Sequence, residues 1–319
     1  MKERIYTFDN VKVWLMIMVV LGHTLIASYG SSNTIVSYLW FFRGIYTMPL
    51  FFFISGFFAK PTGINLKKLC KSVLLPFIIF DIFYMFYESL CNGNYTANWT
   101  VPSFAMWFLL VLFIYRLIFP LIIKVKFALP ISILMALIAG FFPFINARFA
   151  LSRVFCFLPF FLLGYYVNND AFFSKIRKKL FEPFNLRDTV PLLCIVVFWG
   201  FVLYFRPNWA FLTTFTQSYG ENWGGQLLVR ISLYATAVLV GYYVLKMFPN
   251  RKTFYTKYGG RTMGVYLLHG LVVLPSAYMI FRPFEYESNL HRILMIVLPV
   301  LISLLFFARP IDNLIKKIF

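Results

Sequence analysis

The most constraining feature of the chain is a series of apolar segments, each about 20 residues long, that recurs from one end to the other. A hydrocarbon layer roughly 30 Å thick needs about 20 apolar residues of α-helix to cross it. Only 13% of the residues are charged, whereas soluble domains carry about a quarter. The segments therefore predict an all-α bundle that spans a membrane several times.

Ten such segments are predicted, which makes about ten transmembrane helices in one membrane domain over residues 1–319. The first segment lacks a small-residue cleavage pattern, so it is predicted to remain as helix one rather than to be removed as a signal peptide. The predicted spans are Val11–Tyr29, Ser37–Phe58, Val73–Leu90, Ser103–Ile123, Phe127–Phe144, Leu151–Val167, Val190–Phe205, Leu227–Phe248, Met263–Phe281 and Ile293–Phe307.

The distribution of positive charge predicts the orientation of these spans. Of the 30 lysines and arginines, 22 fall in one set of alternate loops, five in the other set and three within or beside helices. Loops that stay in the cytoplasm retain Lys and Arg, so both termini are predicted to be cytoplasmic. The net charge of +19 is thus explained by membrane orientation, and a nucleic-acid partner is not predicted.

Ionisable side chains within the bilayer are costly and usually functional, and His23 is the sharpest example. Lys12 precedes it by eleven residues, which is about three helical turns and roughly 16 Å along one face. An imidazole can accept a proton from a hydroxyl near neutral pH. The spacing alone is equally consistent with a structural histidine that is hydrogen-bonded between helices.

The second span carries Pro49 within the run Met48-Pro-Leu-Phe-Phe-Phe-Ile-Ser-Gly56. A proline in a membrane helix frees a backbone carbonyl, which is tolerated beside a cavity or a neighbouring helix. A cavity beside helix one is therefore predicted. Ser55 and Gly56 have a simpler alternative role, which is to let two helices approach closely.

These residues resemble the opening of the membrane-bound acyltransferase 3 family, especially its short, fucose 4-O-acetylase-like members. The resemblance rests on Phe8–Lys12, Val20–His23 and Met48–Gly56. It continues through Trp107–Leu109 with Arg116, Arg153 before Leu158–Tyr165, and Arg261–His269. It therefore extends over nearly the whole chain.

The resemblance implies an O-acyltransferase, with acetyl-coenzyme A or another acyl-CoA as donor substrate and no permanently bound cofactor or metal. The acceptor implied is a hydroxyl of an extracytoplasmic saccharide or lipid-linked glycan of the cell envelope, and the location implied is a bacterial plasma membrane. The family pattern of a basic residue, ten intervening residues and a histidine falls on Lys12 and His23. Many members have arginine in place of Lys12, and many have histidine in place of Thr47.

The resulting site hypothesis assigns roles to seven residues. His23 and Asp9 are the predicted catalytic residues, with His23 as the general base. Lys12 and Arg43 are predicted to bind the anionic donor. The predicted acceptor-side residues are Arg153, His269 and Ser55. His269 is expected in the middle of span nine, where it either takes the role of the histidine missing at Thr47 or is structural.

Other polar and aromatic residues receive structural interpretations. Arg153, at the outer boundary, either contacts the acceptor or extends toward lipid headgroups. Asp81 and Glu88, with Arg230, are expected to form buried ion pairs across helices. Interface anchoring is expected for Trp99, Trp107, Trp209 and Trp223.

Two competing functions remain open at this point. A transporter or flippase of a lipid-linked glycan or small solute would also place charges within the membrane, although the chain shows no pair of similar halves. A membrane partner that passes acyl groups to a separate secreted transferase is the third possibility. Labelled acyl-CoA turnover separates the first two functions.

Overall fold

The computed structural model describes residues 4–29, 34–93, 97–206, 212–275 and 289–319. Within these ranges the chain is all-helical and has no strand, which confirms the predicted all-α class. The helices are α1 (Tyr6–Tyr29), α2 (Thr34–Phe57), α3 (Leu66–Leu69), α4 (Leu75–Asn92), α5 (Trp107–Ile122), α6 (Ala128–Ile138), α7 (Leu151–Asn169), α8 (Ser174–Leu180), α9 (Leu186–Phe205), α10 (Trp223–Met247), α11 (Thr262–Leu268), α12 (Gly270–Pro275), α13 (Asn289–Leu304) and α14 (Arg309–Ile318).

Six helical segments in the described part of the chain are long and apolar enough to cross a membrane. They are Tyr6–Leu25, Ser37–Phe57, Leu66–Cys91, Arg148–Asn169, Leu186–Phe205 and Trp223–Met247. The number rises to seven if Val297–Phe307 and Arg309–Ile318, which are bent by 63°, form one broken span. Shorter apolar helices over Trp107–Ile122, Ala128–Phe141 and Thr262–Pro275 coincide with predicted spans four, five and nine. The count of ten and the cytoplasmic termini stay predictions.

One end of the bundle is formed where the first turns of α1 contact several lysine-bearing loops. The fully buried Asn10 donates its amide to the carbonyls of Pro249 and Arg251 and accepts hydrogen bonds from two threonine hydroxyls of the same loop. Nearby, Phe8 packs its ring against Phe57, Phe58 and Phe181. We call this end, with segments 58–72, 174–188 and 249–261, the lysine-rich face.

The centre of the bundle depends on a close approach between α2 and α7. A Cβ atom added to Gly56 would overlap the carbonyl of Phe161, and one added to Gly164 would overlap the carbonyl of Phe53. Glycine at both contact positions lets the two backbones pack directly, as small residues do in membrane helix pairs. Gly56 therefore has the helix-packing role predicted for it.

Substitution of Gly164 by alanine is expected to destabilise the bundle by about 1–3 kcal/mol, because the added methyl group has no room unless a backbone moves. The matched control is Gly200→Ala in α9, where an added Cβ meets nothing within 4 Å. There, the higher helix propensity of alanine stabilises the helix by up to about 1 kcal/mol. Thermal unfolding in detergent measures the stability of both variants. Equal melting temperatures for the two variants would contradict this account of the α2–α7 contact.

Candidate active site

Two histidines from distant parts of the chain meet inside the bundle. His23 lies in α1, and His269 lies at the junction of α11 and α12. Their ring centroids are 5.4 Å apart. His269 is fully buried, whereas His23 is only partly buried. A substrate can therefore reach His23 more directly than His269.

The hydrogen bonds of His269 define its tautomer. Its Nδ1 lies 2.8 Å from the carbonyl oxygen of Tyr266 and 3.1 Å from that of Val265. A carbonyl oxygen only accepts, so Nδ1 must carry a proton and donate it. The buried Nε2 has no hydrogen-bond partner among the described residues. In the neutral imidazole this nitrogen is an unused acceptor.

His269 lies in the middle of the apolar helical segment Thr262–Pro275, as predicted, but the regular helix is interrupted at this one residue. It separates the last residue of α11 from Gly270, the first residue of α12. A side chain that bonds to its own backbone competes with regular helical hydrogen bonding. From α4, the Tyr84 hydroxyl donates to Leu267 O at 2.6 Å and the Tyr87 hydroxyl to Leu271 O at 3.1 Å. These bonds hold the junction in place.

Two arginines near the histidine pair stack on tryptophan rings. The Arg43 guanidinium lies over the Trp40 ring at 4.1 Å, and that of Arg153 lies over the Trp107 ring at 4.3 Å. The Arg43 guanidinium also lies against Gly22, the residue that precedes His23. The Nε atom of each arginine is buried without a hydrogen-bond partner, and neither guanidinium joins an ion pair, among the described residues.

The position of Arg43 depends on the glycine that precedes His23. A Cβ atom added to Gly22 would overlap the guanidinium of Arg43. This glycine thus makes room for a cation directly beside the histidine. Buried cations without a carboxylate partner favour a ligand, or a reaction step, that brings negative charge to them.

The cavity predicted beside helix one is present, and it adjoins the histidine pair. Its volume is about 210 Å³. It extends from Lys12 and Ser55 to Val19 and Tyr266. Val19 is one helical turn from His23, and Tyr266 is three residues from His269. The structure therefore places Lys12 and Ser55 in one cavity that ends close to the histidines.

A second, polar cavity of about 330 Å³ opens at the lysine-rich face. Its cationic lining residues are Lys60, Lys68 and Arg116. Ser72 lines both this cavity and the one beside α1. It belongs to a π-helical turn, Cys70–Leu74, between α3 and α4, and such turns often occur at functional sites.

The structure places Asp9 far from His23 and Arg43 close to it. Asp9 is four turns of α1 away from His23, or roughly 21 Å at 1.5 Å per residue. It instead holds Lys12 through a 2.9 Å ion pair and Arg4 through one of 2.8 Å. Arg43 belongs with His23 rather than with Lys12, because its side chain lies against Gly22.

Several contacts expected from the sequence differ in the structure. Arg153 turns inward onto Trp107, so this tryptophan does not act as a simple interface anchor; Trp209 lies outside the described residues. Asp81 forms no ion pair among the described residues and accepts a 2.6 Å hydrogen bond from the Ser103 backbone N–H. Arg230, also without an ion pair there, donates to the carbonyl of Gln217 at 2.7 Å.

Four residues of the site were not selected from the sequence: Gly22, Trp40, Ser72 and Phe104. Gly22 and Trp40 matter through their contacts with Arg43, and Ser72 through the two cavities. Phe104 contacts the rings of both His23 and His269. The one signal in the sequence for these four residues was that Gly22 directly precedes His23. Glycine beside a buried functional residue often permits the close approach of another group.

The apolar helices of the bundle define the class as a membrane protein. Its buried histidine–arginine cluster is suited to acid–base chemistry. The family model described as an acyltransferase domain, of the acyltransferase 3 family, matches residues 5–308. The chain belongs to this family and is a multi-pass membrane acyltransferase. Comparison with curated proteins and with solved structures finds no match.

Proposed function

We propose that the chain is an O-acetyltransferase. The donor, an acyl-CoA such as acetyl-CoA, enters at the lysine-rich face, and the acceptor is a hydroxyl of an extracytoplasmic saccharide or lipid-linked glycan. The observation that carries the proposal is the pair of adjoining cavities, which runs from Lys60, Lys68 and Arg116 past Ser72 and Lys12 toward the histidines. The membrane we propose is the bacterial plasma membrane, in keeping with the family resemblance.

The two cavities suit the two parts of a coenzyme A thioester. The nucleotide part carries phosphates, and the three cations of the outer cavity offer complementary charge. The inner cavity is narrower and mostly apolar, with Met16, Val19 and Phe51 among its lining residues, which suits a slender pantetheine arm. Their volumes, about 330 and 210 Å³, together fall within the range of roughly 300–1,000 Å³ for small-molecule sites.

Lys12 would contact the donor between these two parts. Its ammonium group is oriented by the ion pair with Asp9. Asp9 is therefore proposed as a positioning residue for Lys12, in place of the catalytic role first assigned to it. Lysine presents a compact point charge and lacks the planar fork with which arginine binds phosphate at two points.

The histidine–arginine cluster supplies the chemistry. His23 accepts the proton of the acceptor hydroxyl as its oxygen attacks the thioester carbonyl. The carbonyl oxygen becomes negative, and Arg43 and Arg153 stabilise that charge. The new C–O bond forms, the C–S bond breaks, and the proton passes to the departing thiolate. If an acyl-enzyme forms instead, the same base is required for each of its two steps.

A bulky side chain at the junction of the two cavities tests this donor path. Ser72→Trp would fill the junction with an indole, whereas Ser72→Ala leaves it open. With purified protein and labelled acetyl-CoA, the tryptophan variant is expected to lose about tenfold or more in turnover, and the alanine variant to resemble wild type. Unchanged turnover in Ser72→Trp would mean that the donor enters elsewhere. Wild-type protein that moves a glycan or solute but never cleaves the thioester would instead establish the transporter.

A further inference from the structure

The loop before α5 places one aromatic ring over the histidine pair. The Phe104 ring centroid lies 4.8 Å from that of His23 and 4.9 Å from that of His269. It also contacts the Tyr84 ring, at 5.3 Å. One apolar ring therefore packs against both imidazoles, of which His23 is the less buried.

The residues on either side of Phe104 are both fixed to helices. The backbone N–H of Ser103 donates to the carboxylate of Asp81 at 2.6 Å. The carbonyl of Ala105 accepts from the Tyr266 hydroxyl. Asp81 belongs to α4 and Tyr266 to α11. The loop is thus held by the same two helices whose packing places His269.

The backbone at Phe104 is in an unfavourable conformation. Its φ angle is +47°, in the left-handed region that a bulky side chain rarely adopts. Such conformations persist where surrounding contacts enforce them, often at functional sites. Gly270 provides the space, because a Cβ at this position would lie 2.8 Å from the Phe104 ring and 2.5 Å from that of Tyr84.

We propose that Phe104 keeps water from reacting at the histidine pair, so that the acyl group passes to the acceptor hydroxyl rather than to water. This inference rests on the proposed acyl transfer. In the competing reaction, water attacks the thioester carbonyl, a C–O bond forms and the C–S bond breaks. His23 carries one proton from water to the departing thiolate, which gives a thiol and a carboxylic acid; the acid then releases the second proton of water to the solvent. The Phe104 ring fills the space beside both imidazoles, and an apolar ring offers water no hydrogen-bonding partner there.

Substitution of Phe104 separates transfer from hydrolysis. Purified Phe104→Ala is expected to release free acetate from labelled acetyl-CoA, without acceptor, about tenfold faster than wild type. Acetyl-ester content of the envelope glycans in cells that express this variant is expected to fall. Phe104→Leu keeps an apolar cover and is expected to remain near wild type. The control is Trp99→Ala, in the same loop, whose side chain is 66% exposed and whose loss is expected to change neither quantity.

A second variant addresses the loop without removing the ring. Asp81→Ala removes the acceptor of the Ser103 N–H and is expected to raise acetate release in the same direction, by a smaller factor. Asp81→Ala also tests the role of Phe104 if Phe104→Ala does not fold. This inference alone is overturned if wild type transfers acetyl groups and both Phe104→Ala and Asp81→Ala show an unchanged ratio of hydrolysis to transfer. Wild type that cleaves no thioester would overturn the proposed function and this inference with it.

Discussion

His23→Ala is expected to lower acetyl transfer by about 10²–10⁴-fold, the usual contribution of general base catalysis. His23 is the less buried histidine of the pair, and Arg43 lies against Gly22 directly beside it. Without its imidazole, the hydroxyl loses the base proposed for it, and His269, the other imidazole of the pair, is fully buried. Acetyl-ester content of envelope glycans in expressing cells, and turnover of labelled acetyl-CoA by purified protein, measure the effect.

The control for His23→Ala is Thr24→Val on the same turn of α1. The Thr24 hydroxyl bonds to the Val20 carbonyl of its own helix at 3.0 Å, and valine keeps its shape. The comparison requires that wild type and both variants are present in the membrane at equal levels. Full acetylation in His23→Ala would remove His23 from the mechanism and favour the structural role that its sequence context also allowed.

Gly22→Ala is expected to reduce turnover about as much as Arg43→Gln, by roughly 10²–10³-fold if Arg43 stabilises the oxyanion. An added Cβ at position 22 would overlap the guanidinium of Arg43. This guanidinium ends a flexible side chain, so it can be displaced while the helix stays intact. Alanine also has the higher helix propensity, and the folded state should not suffer. Single-turnover rates of acetyl-CoA cleavage measure the loss.

The double variant distinguishes a shared cause from two separate ones. If Gly22→Ala acts by displacing Arg43, then Gly22→Ala with Arg43→Gln should be no slower than Arg43→Gln alone, since coupled residues are not additive. Losses that multiply in the double variant would instead show that Gly22 acts on His23 or on helix packing. Gly200→Ala, at an uncrowded position of α9, is the control for a glycine substitution as such.

The helical segments and the charge bias were predictable because each is a property of consecutive residues. Hydropathy over about 20 residues identifies a candidate span without reference to any contact. Spans of this kind begin at Leu186 and Trp223, close to their predicted starts. Two helices are shorter than predicted: α5 begins after Phe104, whose φ angle is +47°, and α11 ends just before His269, whose side chain bonds to its own backbone. Hydropathy does not measure such features.

The candidate site was predicted in part. Lys12 and His23 could be related to each other because both lie on one continuous helix, where spacing determines direction. The helix that carries Arg43 could be predicted, but not the direction of its side chain. Its position depends on Gly22 and Trp40, which come from different helices, and the inward turn of Arg153 depends likewise on Trp107.

The sequence by itself determined that the chain is a helical membrane protein, that α1 carries a histidine and a lysine on one polar stripe, and that it resembles the family to which it belongs. These features follow from local hydropathy, helical periodicity and motif order. Only the tertiary structure decided that His23 meets His269, that two arginines lie beside them without a carboxylate partner among the described residues, and that Phe104 covers the pair. The reason is that these contacts join helices far apart in the chain, and packing between helices, rather than any local pattern, determines which side chains meet.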